Sequence, residues 1–441
     1  MSRFILAAVP VQGHVNPVLS LVRPLVAAGH DVRFVTGRHF AEKVTEAGAR
    51  FFPIPEQHDF DWRDPDAKFP ERATLSRVRK LQFDMERTLV APAADQARNI
   101  LDLLAKEPAD ALVTDLGFVG ANFVQELAGL PLALCGVTLL PYLSPQVPPP
   151  GLSLRLRTGP LGRLRNRLLN AVIRRAIFGG TTREYAAQRA KMGLPPVKGT
   201  IFDASVIKPE LFLEFCAPGA EYPRTDLPPT VHFIGSMPLP PGDSWEPPSW
   251  WPELEAAHRA GRPVVAVSQG TVENDPEMLL KPTVAGLADE DVFVVAVMGG
   301  GDPAALGEVP ANTRVARYIP YGRLLPLCSV FVTNGGFGSV QTGIAAGLPL
   351  VVAGKVDDKG DVAARVAYAG CGIDLRSDRP RAAAVRSAVL RVVGDPAYRA
   401  RAREIRAQAP PEEAPGRAVA LLEQLARTGA PVLNGPAAQR V

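Results

Sequence analysis

His14 stands in the string Gln12-Gly13-His14-Val15-Asn16-Pro17, directly after the apolar run Phe4–Val9. A histidine at a strand-to-helix switch lies over the carboxyl edge of a sheet and titrates near neutrality, which suits a proton acceptor. Such a base needs a group to orient it. Asp115 closes a later apolar run, Leu112-Val113-Thr114-Asp115, at the same edge. A carboxylate on one ring nitrogen fixes the tautomer and stabilises the imidazolium when the other nitrogen takes a proton. Asp115 also suits a helix N-cap, and the two roles are compatible. No serine or cysteine nucleophile string accompanies the pair, so His14 reads as a base and not as a triad member.

A second chemistry-bearing stretch runs from Ser329 to Lys359. Ser329–Thr333 has the β-branched texture of a buried parallel strand. Asn334-Gly335-Gly336-Phe337-Gly338-Ser339 turns the chain, Val340–Ala346 continues as a helix, and Leu350–Ala353 forms the next strand. Glycines let a phosphate approach the backbone, and the free N–H groups of a helix start attract it. The same string also serves as a plain tight connection. Three weaker signals flank it. Ser268-Gln269-Gly270-Thr271 ends another apolar run and offers hydroxyl donors; Tyr318-Ile319 follows the run from Thr313 and offers an aromatic face; Asp357-Asp358-Lys359 offers a carboxylate to sugar hydroxyls, although such loops are usually just solvated.

These pieces need two sheets to position them. In the first half, the runs Phe4–Val9, Asp31–Thr36, Ala111–Asp115 and Leu132–Val137 alternate with helical patterns such as Val18–Ala28, which predicts a parallel sheet covered on both faces. Prolines crowd between Pro218 and Pro248, with Trp245, Trp250 and Trp251 nearby, and read as an interdomain connection. The alternation then restarts with Pro263–Gln269, Val292–Met298, Thr313–Ile319, Ser329–Thr333, Leu350–Ala353 and Gly372–Leu375. The expected organisation is an α/β first domain over 1–216, a linker over 217–252, a second α/β domain over 253–428 whose last helix returns to the first, and a disordered tail over 429–441. Ligands of such sheets bind at the carboxyl ends of the strands, here in the cleft between domains.

Composition narrows the function classes. A length of 441 residues, 46% hydrophobic residues and a mean hydropathy near zero describe a soluble two-domain protein. No apolar run is long enough to span a bilayer. Cys135, Cys216, Cys328 and Cys371 lie far apart, without metal-ligand or disulfide-framework spacing, and fit a reducing cytoplasm. A net charge of +4 is too weak to argue for nucleic acid. No dinucleotide fingerprint is present: Gly336-Phe337-Gly338 is followed by Gln341 where the last glycine belongs, so redox cofactors are not expected. Asp289-Glu290-Asp291 precedes a strand and makes a poor metal site. Between Gly151 and Arg183 there are eight arginines and no acid, interleaved with Leu164, Leu168, Leu169, Val172, Ile173 and Ile177. A basic amphipathic segment of this kind suits a membrane surface or an anionic partner; an ordinary surface helix capping a pocket is the expectation, with no membrane association.

The order of the pieces resembles the nucleotide-sugar glycosyltransferases of the GT-B fold, two facing Rossmann-like domains. More narrowly, it is similar to the bacterial macrolide and natural-product transferases of the UDP-glycosyltransferase superfamily. The resemblance covers nearly the whole chain. It implies that His14 is the general base for an acceptor hydroxyl with Asp115 as its partner. Gly335, Gly336, Gly338 and Ser339 would hold the diphosphate, with Ser268, Gly270 and Thr271 near the sugar-phosphate junction, Tyr318 and Ile319 near the base, and Asp358 and Lys359 near the sugar. The sequence departs from the family at Asn334, where histidine is usual, at Thr342, where glutamate is usual, at Lys359, where glutamine is usual, and at Tyr318 and Tyr321, where tryptophan and glutamine are usual. These changes bear on nucleotide and sugar choice.

The implied reaction is an inverting, metal-independent transfer from a UDP- or dTDP-sugar to a hydrophobic polyketide, macrolide or phenolic acceptor, with no cofactor. The acceptor would lie on the first domain, where Gln12, Phe60, Trp62, Phe69, Phe83 and Phe118 are candidate lining residues, although core packing is the commoner fate of such aromatics. A monomer or weak homodimer is expected. The competing readings are a sugar-nucleotide epimerase of the same fold, a non-catalytic sugar-nucleotide-binding helper protein, and transfer to a lipid-linked acceptor at a membrane, which only the arginine-rich segment suggests.

Overall fold

A computed structural model describes residues 1–435 apart from 63, 198, 240–244, 271–274 and 357. Among the described residues thirteen strands form two sheets, all parallel. The first contains β1 (Arg3–Ala7), β2 (Asp31–Thr36), β3 (Arg50–Pro53), β4 (Ala111–Asp115), β5 (Leu132–Gly136), β6 (Leu211–Glu214) and β7 (Val231–Phe233) in the order β3-β2-β1-β4-β5-β6-β7. The second contains β8 (Val264–Ser268), β9 (Phe293–Val297), β10 (Thr313–Ala316), β11 (Val330–Thr333), β12 (Leu350–Val352) and β13 (Gly372–Asp374) in the order β10-β9-β8-β11-β12-β13.

Alternate residues of each central strand enter opposite cores, because successive side chains of a strand point to opposite faces. Phe4 and Leu6 pack with Val15, Val18 and Leu25 on one face of the first sheet. Ile5 and Ala7 pack with Ala97, Ile100 and Phe123 on the other. In the second sheet Val264 and Ala266 join one core, Val265 and Val267 another. Burial on both faces is why these strands read as unbroken apolar runs. In both sheets the strand order reverses between neighbours, β1 beside β4 and β8 beside β11, and the two chemistry-bearing strings leave the sheets at these switch points.

Several bounds differ from the expectation. β3, β6 and β7 were not expected, and β7 lies inside the stretch expected to be a linker, paired in parallel with β6. Residues 429–435, expected to be disordered, are held on the first domain: Val432 is buried, its N–H donates to the Glu210 carbonyl, and its own carbonyl meets His232 Nε2. Residues 436–441 lie outside the described residues.

The chain passes between the domains twice. It leaves the first sheet after Ile234 and returns when the helix Ala414–Thr428 places Ala418, Leu422 and Leu425 against Phe4 and Leu6. The crossings touch each other. Gly235 takes a positive φ of 82°, and a Cβ there would lie 2.6 Å from the Ala409 carbonyl oxygen.

The helix Lys359–Ala369 of the second domain clasps the first. Asp361 accepts from the N–H groups of Gly151 (2.5 Å) and Ser153 (2.8 Å), while Arg365 Nε donates to Glu221 at 2.6 Å and its guanidinium covers the Tyr222 ring. Glu214, at the end of β6, is buried nearby with neither carboxylate oxygen hydrogen-bonded. Burial pushes this carboxyl well above its usual range, and Glu221 adds to the effect. The folded chain therefore holds a proton that the unfolded chain releases, so stability is fullest below the ordinary carboxylate pKa and falls as pH rises towards the folded value. Glu214→Gln removes this slope, at most about 1.4 kcal/mol per pH unit. Its Tm should gain on that of the unaltered protein as pH rises from about 5; parallel Tm curves would refute the assignment.

Candidate active site

The helix Gln12–Leu19 starts directly after β1, and His14 lies in its first turn with its N–H donating to the Val11 carbonyl at 2.8 Å. Asp115 ends β4, the next strand in the sheet. His14 Nδ1 and Asp115 Oδ2 are 2.5 Å apart. Asp115 is completely buried, whereas the His14 side chain is 28% exposed. Two backbone donors complete the carboxylate's shell: Val9 N–H reaches Oδ1 at 3.0 Å and Gly117 N–H reaches Oδ2 at 2.6 Å. A fully buried carboxylate requires such donors to remain ionised. With Nδ1 used, Nε2 is the imidazole's remaining nitrogen, and it has no hydrogen-bond partner among the described residues.

A small cleft of about 30 Å³ lies near the pair, reaching it through Val9, whose N–H meets Asp115. Val9 and Pro10 form one side; Phe60, Trp62, Phe69 and Phe118 are in its wall, together with Arg87 and Thr88. Phe60 stacks on Trp62 with centroids 4.8 Å apart, and Phe69 meets Phe60 edge-on. Phe83 packs edge-on against Phe69 and is not a lining residue. Gln12 is exposed at the helix start. Arg87 and Thr88 belong to a π-helical stretch, Asp84–Val90, a geometry that recurs at functional sites. Hydrophobic periodicity carries no signal for it.

In the second domain the turn after β11 leads into the helix Phe337–Ala345. Gly335 has φ 85°, and a Cβ there would lie 2.7 Å from Val352 Cγ1, so only glycine fits. At Gly338 a Cβ would meet nothing within 4 Å, and at Gly336 only Asn334 Oδ1 at 3.8 Å. The space over these two residues is open to a ligand, and Ser339 is partly exposed in the same first turn. Asn334 Nδ2 donates to the Gln269 carbonyl at 2.5 Å, tying the β11 and β8 ends together; the amide keeps one further hydrogen for another acceptor.

Ser268 is buried at the end of β8, with Oγ accepting from Gly270 N–H at 3.3 Å. Thr271 lies outside the described residues. Gln269, which sequence reasoning passed over, anchors this loop: Oε1 accepts from the N–H groups of Leu279 and Leu280, and Nε2 donates to the Asp275 carbonyl. Tyr318 presents an exposed ring, and Ile319 is buried in the core. Tyr321 packs edge-on against Phe331 and is a core residue. Asp358, with Lys359 next to it, precedes the clasping helix, and Thr138 Oγ1 of the first domain donates to Asp358 Oδ2 at 2.6 Å. Thr138 was not expected in the site; only the apposition of the domains brings it there. Among the described residues no three His, Cys, Asp or Glu side chains are grouped to hold a metal ion. The four cysteines are unpaired and buried, and no helix of the described residues is long and apolar enough to cross a membrane.

Two parallel-sheet domains, with the His14–Asp115 pair at the switch point of one and a glycine turn at the switch point of the other, have the architecture of a GT-B glycosyltransferase, and comparison with known proteins agrees. Residues 281–425 match the model of the erythromycin biosynthesis protein CIII-like C-terminal domain. The chain is 40% identical to the 4'-demethylrebeccamycin synthase of Lentzea aerocolonigenes over 96% of its length and 99% of that protein's. It is 34% identical to UDP-glycosyltransferase 2 of Phaeomoniella chlamydospora over 91% of each. Among solved structures, the glycotransferase of kitacinnamycin superposes with a TM-score of 0.73 at 22% identity, covering 96% of this chain and 98% of that one. A spinosyn rhamnosyltransferase complexed with thymidine diphosphate superposes with a TM-score of 0.63 at 21% identity, covering 96% and 99%. The chain belongs to the natural-product glycosyltransferases of the UDP-glycosyltransferase superfamily, and it is an enzyme of that class.

Proposed function

We propose that this enzyme transfers a sugar from a UDP- or dTDP-sugar to a hydroxyl of a hydrophobic natural product, with inversion at the anomeric carbon and His14 as the general base. The observation that carries the reading is the His14–Asp115 pair beside an aromatic cleft. Nε2 takes the proton of the acceptor hydroxyl as its oxygen bonds to the anomeric carbon, and the bond from that carbon to the diphosphate breaks. Asp115 stabilises the imidazolium so formed. The leaving diphosphate gathers its charge on the N–H groups and dipole at the start of the helix Phe337–Ala345, with Ser339 as a further donor. Because these fixed dipoles supply the positive potential, the reaction needs no divalent ion, and a chelator should leave the initial rate unchanged. A rate restored by added magnesium or manganese would overturn this part. The thymidine diphosphate bound by the spinosyn enzyme supports a dTDP donor, and the name of the UDP-glycosyltransferase relative supports a uridine one.

A mass-spectrometric screen of UDP- and dTDP-sugars against polyketide, macrolide and phenolic acceptors tests the reading. The expected result is a glycoside with the β configuration from an α-linked donor, established by NMR. An α product would refute the inverting mechanism, and no product from any pairing would refute the substrate class. Asp358 is proposed to accept the sugar's hydroxyls, with Thr138 holding its carboxylate in place. Thr138→Val should raise the donor KM by about three- to tenfold, since an intramolecular hydrogen bond contributes about 0.5–1.5 kcal/mol net, while the acceptor KM stays fixed. A rise in acceptor KM alone would place Asp358 elsewhere in the reaction.

A further inference from the structure

The helix Gly159–Ala176 on the first domain is turned the opposite way from an ordinary surface helix. The residues facing the protein are Gly162, Asn166, Asn170 and Ile173; Asn166 and Asn170 donate to the carbonyls of Pro145 and Ser144. The opposite face carries Leu161, Leu164, Leu168 and Val172, with 83%, 52%, 62% and 59% exposure. Their spacing of three and four residues makes one continuous apolar stripe. Arg163, Arg167, Arg174 and Arg175 are exposed around it, Arg174 also reaching Asp203. No acidic residue occurs from Gly151 to Arg183.

We infer that this helix docks the enzyme on an anionic bilayer surface, with the stripe in the headgroup–acyl boundary and the arginines on lipid phosphates. An apolar face bordered by arginines has the chemistry of an interfacial helix. Charge argues against a second copy of the chain as the occupant. A two-fold contact would set this arginine-rich face against itself, bringing like charges together with only Asp203, already paired with Arg174, as a counter-ion. Charge without the leucines would suit a polyanion in solution, but an exposed leucine stripe gains nothing from one. The helix end also lies near the proposed acceptor cleft: Gln82 Nε2 donates to the Ala176 carbonyl at 2.9 Å, and Phe83, next in the chain, packs on Phe69 of the cleft wall. A docked enzyme would meet an apolar acceptor where that acceptor dissolves.

Flotation of the full-length enzyme with vesicles tests the inference. With phosphatidylcholine containing about one-third phosphatidylglycerol, the protein should float, at least about tenfold more than with phosphatidylcholine alone, and roughly 0.5 M salt should release it. Leu164→Glu with Leu168→Glu should abolish flotation while leaving the turnover of soluble substrates unchanged. Arg163→Gln with Arg167→Gln should weaken it on the anionic vesicles. Failure of the unaltered protein to float overturns the inference, as does flotation that survives the leucine changes. A dimer in light scattering that the leucine changes dissociate, without vesicle binding, would assign the stripe to a contact between copies instead.

Discussion

His14→Ala is expected to lower kcat at least about a hundredfold, the scale on which a positioned general base contributes, while the donor's dissociation constant remains within about twofold. The two readouts separate because the residues lie on different domains. His14 opens the first helix of one sheet, whereas the proposed anion cradle begins at Asn334 on the other. The imidazole cannot be replaced by water at the same point without losing the carboxylate behind it: Asp115 is sealed from solvent and holds Nδ1 at 2.5 Å. Single-turnover rates and calorimetric titration of the nucleoside diphosphate check both halves. Undiminished turnover would remove His14 from the chemistry. Loss of nucleotide binding in step with kcat would show that the substitution disturbs the apposition of the domains.

Gly117→Ala is expected to approach the same loss without replacing either residue of the His14–Asp115 pair. A Cβ at this position would lie 2.8 Å from Asp115 Oδ2, 3.0 Å from Val9 Cγ2 and 3.3 Å from His14 Nδ1. The carboxylate cannot step aside freely, because Val9 and Gly117 N–H groups hold it from both sides. Either the Asp115–His14 bond lengthens or the loop moves and withdraws its own N–H. The predicted result is a fall in kcat of about ten- to a hundredfold, a shifted pH–rate profile and little change in either KM. An unchanged pH–rate profile together with a lowered Tm would mean that the glycine serves only the fold.

The central strands were legible because burial on both faces leaves an unbroken apolar run, as in Val264–Val267 and Val330–Val332. β3, β6 and β7 were not: they are short, β3 ends at Pro53, β6 ends at Glu214, and β7 follows Pro228-Pro229. A buried glutamate and flanking prolines are signs of loops everywhere except in a fold that has already paired the strand's backbone. His14, Asp115 and the glycine turn were legible because their side chains, or the absence of one, carry the geometry. The groups that hold Asp115 were not, since the N–H of Val9 is indistinguishable in sequence from any other. Thr138 and Gln269 escaped for a related reason, as the significance of each depends on a partner that only tertiary structure supplies. The arginine-rich helix was visible as amphipathic, but which of its faces meets the protein was decided by two asparagines and not by its leucines.

The two passages of chain between the domains run side by side at Gly235 and Ala409. Two tethers set far apart would lock a pair of bodies to a fixed axis; two that pass through one place act as a single pivot. Any rotation of one domain against the other would therefore turn about residue 235, and it would have to break the contacts of Asp361 and Arg365 with the first domain.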